Sequence, residues 1–113
     1  MDRIATYRNI VKDLLQCQAE RMQRRPQPAI ETELSFDEAR DNYLLLNVGW
    51  TKQGRMLVPA IYIRLHEGKI WVENDWTEAE IVDALIERGV PTKDIVLAFH
   101  PPEMRSYTEF AVA

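Results

Sequence analysis

At 113 residues, with 46% hydrophobic and 28% charged side chains, the chain has the composition of one ordinary water-soluble domain. That length buries roughly 65% of the extended surface without disulfides or a structural metal. A net charge of −4 and the lack of any long apolar run exclude a membrane-spanning helix and argue against an autonomous DNA binder, whose affinity would have to come from Lys and Arg on phosphates.

The polar N-terminus carries no secretory signal, and Cys17 has no partner for an internal disulfide. A cytoplasmic protein with a reduced thiol in or near its core is therefore expected. Charge is unevenly placed. Residues 1–25 hold six basic side chains (Arg3, Arg8, Lys12, Arg21, Arg24 and Arg25) against three acidic ones, whereas the remainder holds eight against fifteen and carries −7.

An amphipathic helix is predicted over residues 2–25, with Ile4, Tyr7, Val11, Leu14, Leu15 and Met22 as its apolar stripe. Pro26 and Pro28 end it. Its basic side chains read most simply as a solvated face, with a DNA contact through Arg21, Arg24 and Arg25 as the alternative. The stripe is long for one small sheet and could serve the domain, a second copy, or both.

Residues 29–37 alternate Ile30, Thr32, Leu34 and Phe36 with Glu31, Glu33, Ser35 and Asp37, the pattern of a strand with one wet face. After a polar turn, residues 42–50 place Leu44, Leu46, Val48 and Trp50 on one side and Tyr43, Leu45 and Asn47 on the other. Gly49 marks a bulge or a close backbone approach. A loop through Gln53-Gly54 leads to a third strand over 56–66. Pro59 has no amide proton, so this strand is an edge at that point or begins after it.

Glu67-Gly68 is a two-residue hairpin turn, since Gly supplies the positive φ such turns require. That turn sets a register: Leu65 opposite Ile70, Ile63 opposite Val72, Arg64 opposite Trp71 as a cation–π pair, and Tyr62 opposite Glu73. The next helix carries signals at both ends. Thr77 and Glu80 have capping-box spacing, and Trp76 with Ile81 forms a hydrophobic staple. Gly89 takes the left-handed exit, Val90 folds back on Leu85, and Pro91 forbids continuation, which predicts a helix over 77–88. A short apolar strand over 94–99, His100-Pro101-Pro102 and the tail Phe110-Ala-Val-Ala113 follow. The fold expected is α+β: an antiparallel sheet of about four to five strands with a long N-terminal helix and a second, capped helix packed against it.

No spacing builds an active site. The four glycines are scattered and each serves a turn or cap, so no phosphate loop is present. Cys17, His66 and His100 lie in three different elements, and nothing in their spacing asks for a metal with Glu73 or Asp75. Glu73, Asp75, Glu78 and Glu80 resemble paired acid/base carboxylates, but helix capping accounts for Glu78 and Glu80. Neither enzymatic activity nor a cofactor is expected. The aromatic load is more informative, since Trp50, Trp71 and Trp76 each carry ~150–250 Å² of surface. Trp71 lies opposite the Ile70/Val72 face, so the sheet has apolar groups on both faces and one of them calls for a partner surface. The apolar tail is of the kind that docks as a strand on its own sheet or a neighbour's. An interaction module is the reading these features support.

The segments Asn47-Val-Gly-Trp50, Gly68-Lys-Ile-Trp-Val72, Trp76-Thr-Glu78, Gly89-Val-Pro91, Asp94-Ile-Val-Leu97 and Phe99-His-Pro101, with Arg105 and Phe110-Ala-Val-Ala113, occur in order along the chain. Taken together they resemble the XisI family, the fdxN element excision controlling factor proteins best known from cyanobacteria. The resemblance implies a role in controlling site-specific excision of a DNA element during differentiation. It also implies a companion, XisH, which resembles a nuclease-fold protein, and a separate recombinase that performs strand exchange. It carries over no catalytic residue. Most of the motif residues have structural explanations as turn glycines, caps and core aromatics. His100 and Arg105 do not, and with Trp50, Trp71 and Phe110 they are the candidate partner-binding residues. A basic, XisH-like companion would be drawn to the −7 body, with DNA reached only indirectly and self-association open. A direct DNA-binding accessory and an antitoxin-like neutralising partner of a nuclease-fold protein are the rival readings.

Overall fold

The computed structural model describes residues 2–24, 29–75 and 80–113. Helix α1 (Arg3–Gln23) starts at Asp2, whose carboxylate accepts the Ile4 amide at 3.0 Å and so satisfies one of the orphan donors of the first turn. Strands β1 (Ile30–Asp37), β2 (Asn42–Thr51), β3 (Gly54–His66) and β4 (Lys69–Asp75) form an antiparallel meander. Helix α2 (Glu80–Glu87) then crosses over, and β5 (Ile95–Leu97) returns parallel to β4, completing the order β1-β2-β3-β4-β5. The fold is α+β with a mostly antiparallel sheet. The parallel β4–β5 pair depends on a crossover that strand alternation cannot register.

Both helices serve a single core. Tyr7, Val11, Leu14, Leu15 and Ala19 of α1 and Ile81, Val82 and Leu85 of α2 are buried with Tyr43, Leu45, Ile61, Ile63, Leu65, Ile70, Val72, Ile95 and Leu97 of the sheet. The long stripe of α1 is thus consumed within the domain. Cys17 is exposed, contrary to expectation. It stands two positions from both Leu15 and Ala19, which turns it to the far side of the helix.

At the β3–β4 turn Glu67 (φ 52) and Gly68 (φ 80) are both left-handed, as a tight hairpin turn requires. The pairs Leu65–Ile70, Arg64–Trp71 and Ile63–Val72 form as expected. Tyr62 instead faces Asn74, because Glu73 is an extra residue in a bulge beside Ile63. Gly49 is a close approach: a Cβ there would lie 1.9 Å from the Ala29 carbonyl oxygen, which accepts the Trp50 amide at 3.0 Å. Pro59 lies within β3, past the last β4 pair of Ile61 with Asp75. On the β2 side it faces Leu46 beside a register shift that leaves Ala60 unpaired. The strand is therefore an edge at Pro59 on one flank only.

Helix α2 ends as its sequence requires. Gly89 has φ 92, its amide donates to Ile86 O at 3.0 Å, and the Val90 amide donates to Leu85 O at 3.1 Å, a Schellman ending with Val90 buried. Trp76, Thr77 and Glu78, and with them the capping box and staple, lie outside the described residues. A 3₁₀ turn (Thr92–Asp94) takes the start of the expected 94–99 strand. Its end is lost where the His100 amide turns back to Leu97 O at 3.1 Å. Among the described residues no helix is long and apolar enough to cross a membrane.

Candidate interaction surface

With both helices on the front, the register fixes what the back of the sheet carries. Residues opposite each other share a face, so the back holds Glu31, Glu33 and Ser35 on β1, and Leu44, Leu46, Val48 and Trp50 on β2. Arg55, Leu57, Tyr62 and Arg64 on β3, Trp71 on β4 and Val96 on β5 complete it. This face is covered on one half and open on the other.

The covered half lies over β4 and β5. Trp71 carries two guanidinium groups, Arg64 at 5.7 Å and Arg105 at 5.5 Å from its ring centre, and its indole N–H donates to His66 O at 3.2 Å. Arg64 also donates to Glu73 at 2.9 Å. Arg105 is the last residue of the short helix α3 (Pro102–Arg105). Its guanidinium donates to the carbonyls of His100 (3.1 Å), Ala98 (3.4 Å) and Val112 (3.4 Å). One planar cation thus ties three points of residues 98–112 together above a Trp face. The tail docks on its own sheet. Ala111 bridges Val96 in parallel and its amide donates to Ile95 O at 2.9 Å, leaving Val96 and Ala111 buried. Phe110 packs against the main core.

The candidate residues therefore divide. Trp71, His100, Arg105 and Phe110 all belong to this C-terminal cap, where Arg105 has the structural task the sequence left unassigned. His100 packs against Phe99 with ring centres 4.8 Å apart. Around them Phe99, Met104, Tyr107 (83% exposed) and Val112 remain exposed, an apolar rim with no counterpart in the sequence reading because its members are scattered among turns. Trp50 stands apart on the β2–β3 hairpin, 61% exposed, with Arg55 stacked 5.6 Å from its ring centre. Arg55 and Leu57 were legible only through the Trp50–Arg55 and Val48–Leu57 register.

The basic helix is largely occupied. Arg3 pairs with Asp94 (3.6 Å), Arg8 with Asp41 (2.9 Å) and Arg21 with Glu80 (3.5 Å), and Lys12 pairs with Glu38. In return, Asp13 takes Arg88 at 2.6 Å. Arg24 caps α1 and is exposed, and Arg25 lies outside the described residues. The +3 segment and the −7 body thus meet inside one molecule. Arg8 grips Asp41 through Nε and Nη2, and this holds the Asp41 carboxyl below the usual carboxylate range. Tyr43, which donates to Asp41 at 2.7 Å, is pushed up to about 12, first by burial and then by that bond. Burial and a hydrogen bond to Asp94 likewise push Tyr7 up to about 12. Glu73 and Glu80 are engaged by Arg64 and Arg21. Among the described residues no three His, Cys, Asp or Glu side chains converge as metal ligands.

Such an arrangement defines a class: a single-sheet α+β platform whose helices cover one face and whose other face presents aromatic and apolar side chains beside arginines. The chain belongs to the XisI family, whose model, described as XisI protein, matches residues 1–112. Its fold is similar to that of a XisI-like protein from Anabaena variabilis, with 33% identity over 96% of this chain and 98% of that one and a TM-score of 0.89. It is also similar to the fdxN element excision controlling factor XisI of Anabaena variabilis, with 35% identity over 99% of this chain and all of that one and a TM-score of 0.86. No curated protein matches the chain.

Proposed function

We propose that this protein controls the excision of a DNA element, of the fdxN type, without catalysing it, and that it acts by contact with a basic, XisH-like companion. The observation that carries the first part is the correspondence, over essentially the full length of both chains, with a solved fdxN element excision controlling factor. Support for the second comes from the charge layout. Four of the cations of α1 are held by the protein's own carboxylates, so the helix offers phosphates little. The C-terminal cap presents Phe99, Met104, Tyr107 and Val112 beside Trp71 and Arg105, the aromatic-and-arginine composition of a protein–protein anchor. In this reading DNA is reached only through the companion.

The test is titration of the purified chain against its companion at rising salt, with a gel shift of the chain alone on duplex DNA in parallel. Affinity for the companion that falls with ionic strength, with no shift of DNA, is the expected result. Salt-independent binding would remove the charge argument. Duplex binding by the isolated chain at ordinary ionic strength would replace the proposal with a direct DNA-binding role.

A further inference from the structure

We propose that the open half of the back face is a self-association surface: two copies of this chain pack sheet on sheet about a two-fold axis running along β2. This goes beyond the companion contact, uses other residues, and stands or falls separately.

Three observations carry it. The surface is apolar where it is open: Trp50 is 61% and Leu57 67% exposed, flanked by half-buried Leu46 and Val48. Its charges are sorted by strand. β1 contributes Glu31 and Glu33, exposed and without an ion pair among the described residues. β3 contributes Arg55, which stacks on Trp50 and likewise has no acidic partner there. The apolar β2 lies between them.

A face with an acidic strand on one side of an apolar strand and a basic strand on the other is complementary to itself in only one in-plane orientation. Rotation about an axis along β2 lays β3 of each copy over β1 of the other, at the ~10 Å separation of packed sheets. Arg55, level with Trp50, then lies about two residues along the strand from Glu31 of the other copy, which is level with Val48, twice by symmetry, and Glu33 adds to the negative field further along β1. An axis across the strands would set β1 over β1 and oppose like charges. Edge-to-edge pairing of β1 in a face-preserving register would also crowd the glutamates together, which disfavours that route to a dimer.

The experiment is sedimentation equilibrium of the full chain over a concentration series. The expected species is a dimer, twice the 13.2 kDa chain mass, that weakens as salt rises. Trp50→Ala should weaken it by about 30-fold, with Leu57→Ser as an independent probe. Arg55→Glu, and separately Glu31→Arg with Glu33→Arg, should each weaken it about 10-fold, and the combined charge reversal should restore it. Unchanged circular-dichroism melting of these exposed-site variants at a dilution where the wild-type chain is also monomeric separates lost association from lost folding. A chain that stays monomeric at every concentration, or a dimer indifferent to Trp50→Ala and Arg55→Glu, overturns the proposal. So does a combined reversal that fails to recover the dimer, or an open face occupied only by the companion.

Discussion

The two faces of this sheet carry comparable apolar side chains and remove them from water by different means. On the front, two helices supply Leu and Val side chains to a continuous, mainly aliphatic core in which ten of the described side chains, from Val11 to Ile95, are fully or almost fully buried. On the back, among the described residues, only the single-turn helix α3 lies near the sheet. The β4–β5 half is closed by sixteen C-terminal residues held through one arginine on one tryptophan, and the β1–β3 half stays open. Area burial is non-directional and tolerates many arrangements, whereas the cap depends on a few directed polar contacts. The front therefore carries most of the apolar burial, and the back is closed on one half by directed contacts and left open on the other.

That contrast can be broken or sharpened by measurement. The largest effect should come from the front. Leu15→Ala, at a fully buried position, should cost about 3–4 kcal/mol in urea unfolding, while Leu57→Ala on the back should cost less than about 0.5 kcal/mol. Similar losses at both sites would erase the distinction. Next in size, Arg105→Met keeps the apolar stem but removes the donors to His100, Ala98 and Val112. A loss of about 1–2 kcal/mol is expected, with faster hydrogen exchange at the Ala111 amide and unchanged exchange at Leu45. Equal acceleration at both amides would mean that the cap and the core unfold as one unit. Gly89→Ala should cost about 1 kcal/mol, because φ 92 strains any residue with a Cβ although the surrounding space is open.

The smallest effects are pH-dependent and belong to the front. Tyr7 and Tyr43 titrate near 12 when folded and near 10 when unfolded, so the folded state holds more protons in that interval and stability falls as pH rises through it. Tyr43→Phe should flatten this alkaline loss. Asp41 behaves oppositely: its folded pKa is depressed, so its contribution is present above the ordinary carboxylate range and disappears as pH falls through the folded value. Arg8→Met should remove that acid limb in a pH series of thermal melts, whereas Trp50→Ala should leave both limbs unchanged.

How much was legible in the sequence follows the range of the interactions. The β3–β4 hairpin could be read because two adjacent residues fix its turn and the turn fixes three pairs of its register. The bulge at Glu73 could not, since the turn residues set only the pairs nearest them and nothing in the alternation marks where the register shifts. The exit of α2 was readable in Leu85, Gly89, Val90 and Pro91 for the same local reason. Of the site, Trp50 and Trp71 were visible as aromatics too large to leave without cover, and Arg105 as a cation without a task. Its task came from three carbonyls that lie close only after the chain has turned at His100 and the tail has reached Val96.

The sequence by itself determined the first four strands, helix α1, the β3–β4 turn, the exit of α2, and the segregation of positive charge into the first helix. Each of these follows from neighbours a few residues apart, where backbone geometry and side-chain period leave few choices. Only the tertiary structure decided that β5 runs parallel to β4 and that the cations of α1 meet the carboxylates of the body. It also decided which half of the back face is left open. Those outcomes depend on which distant surfaces meet, and that is settled by the collective burial of the whole core.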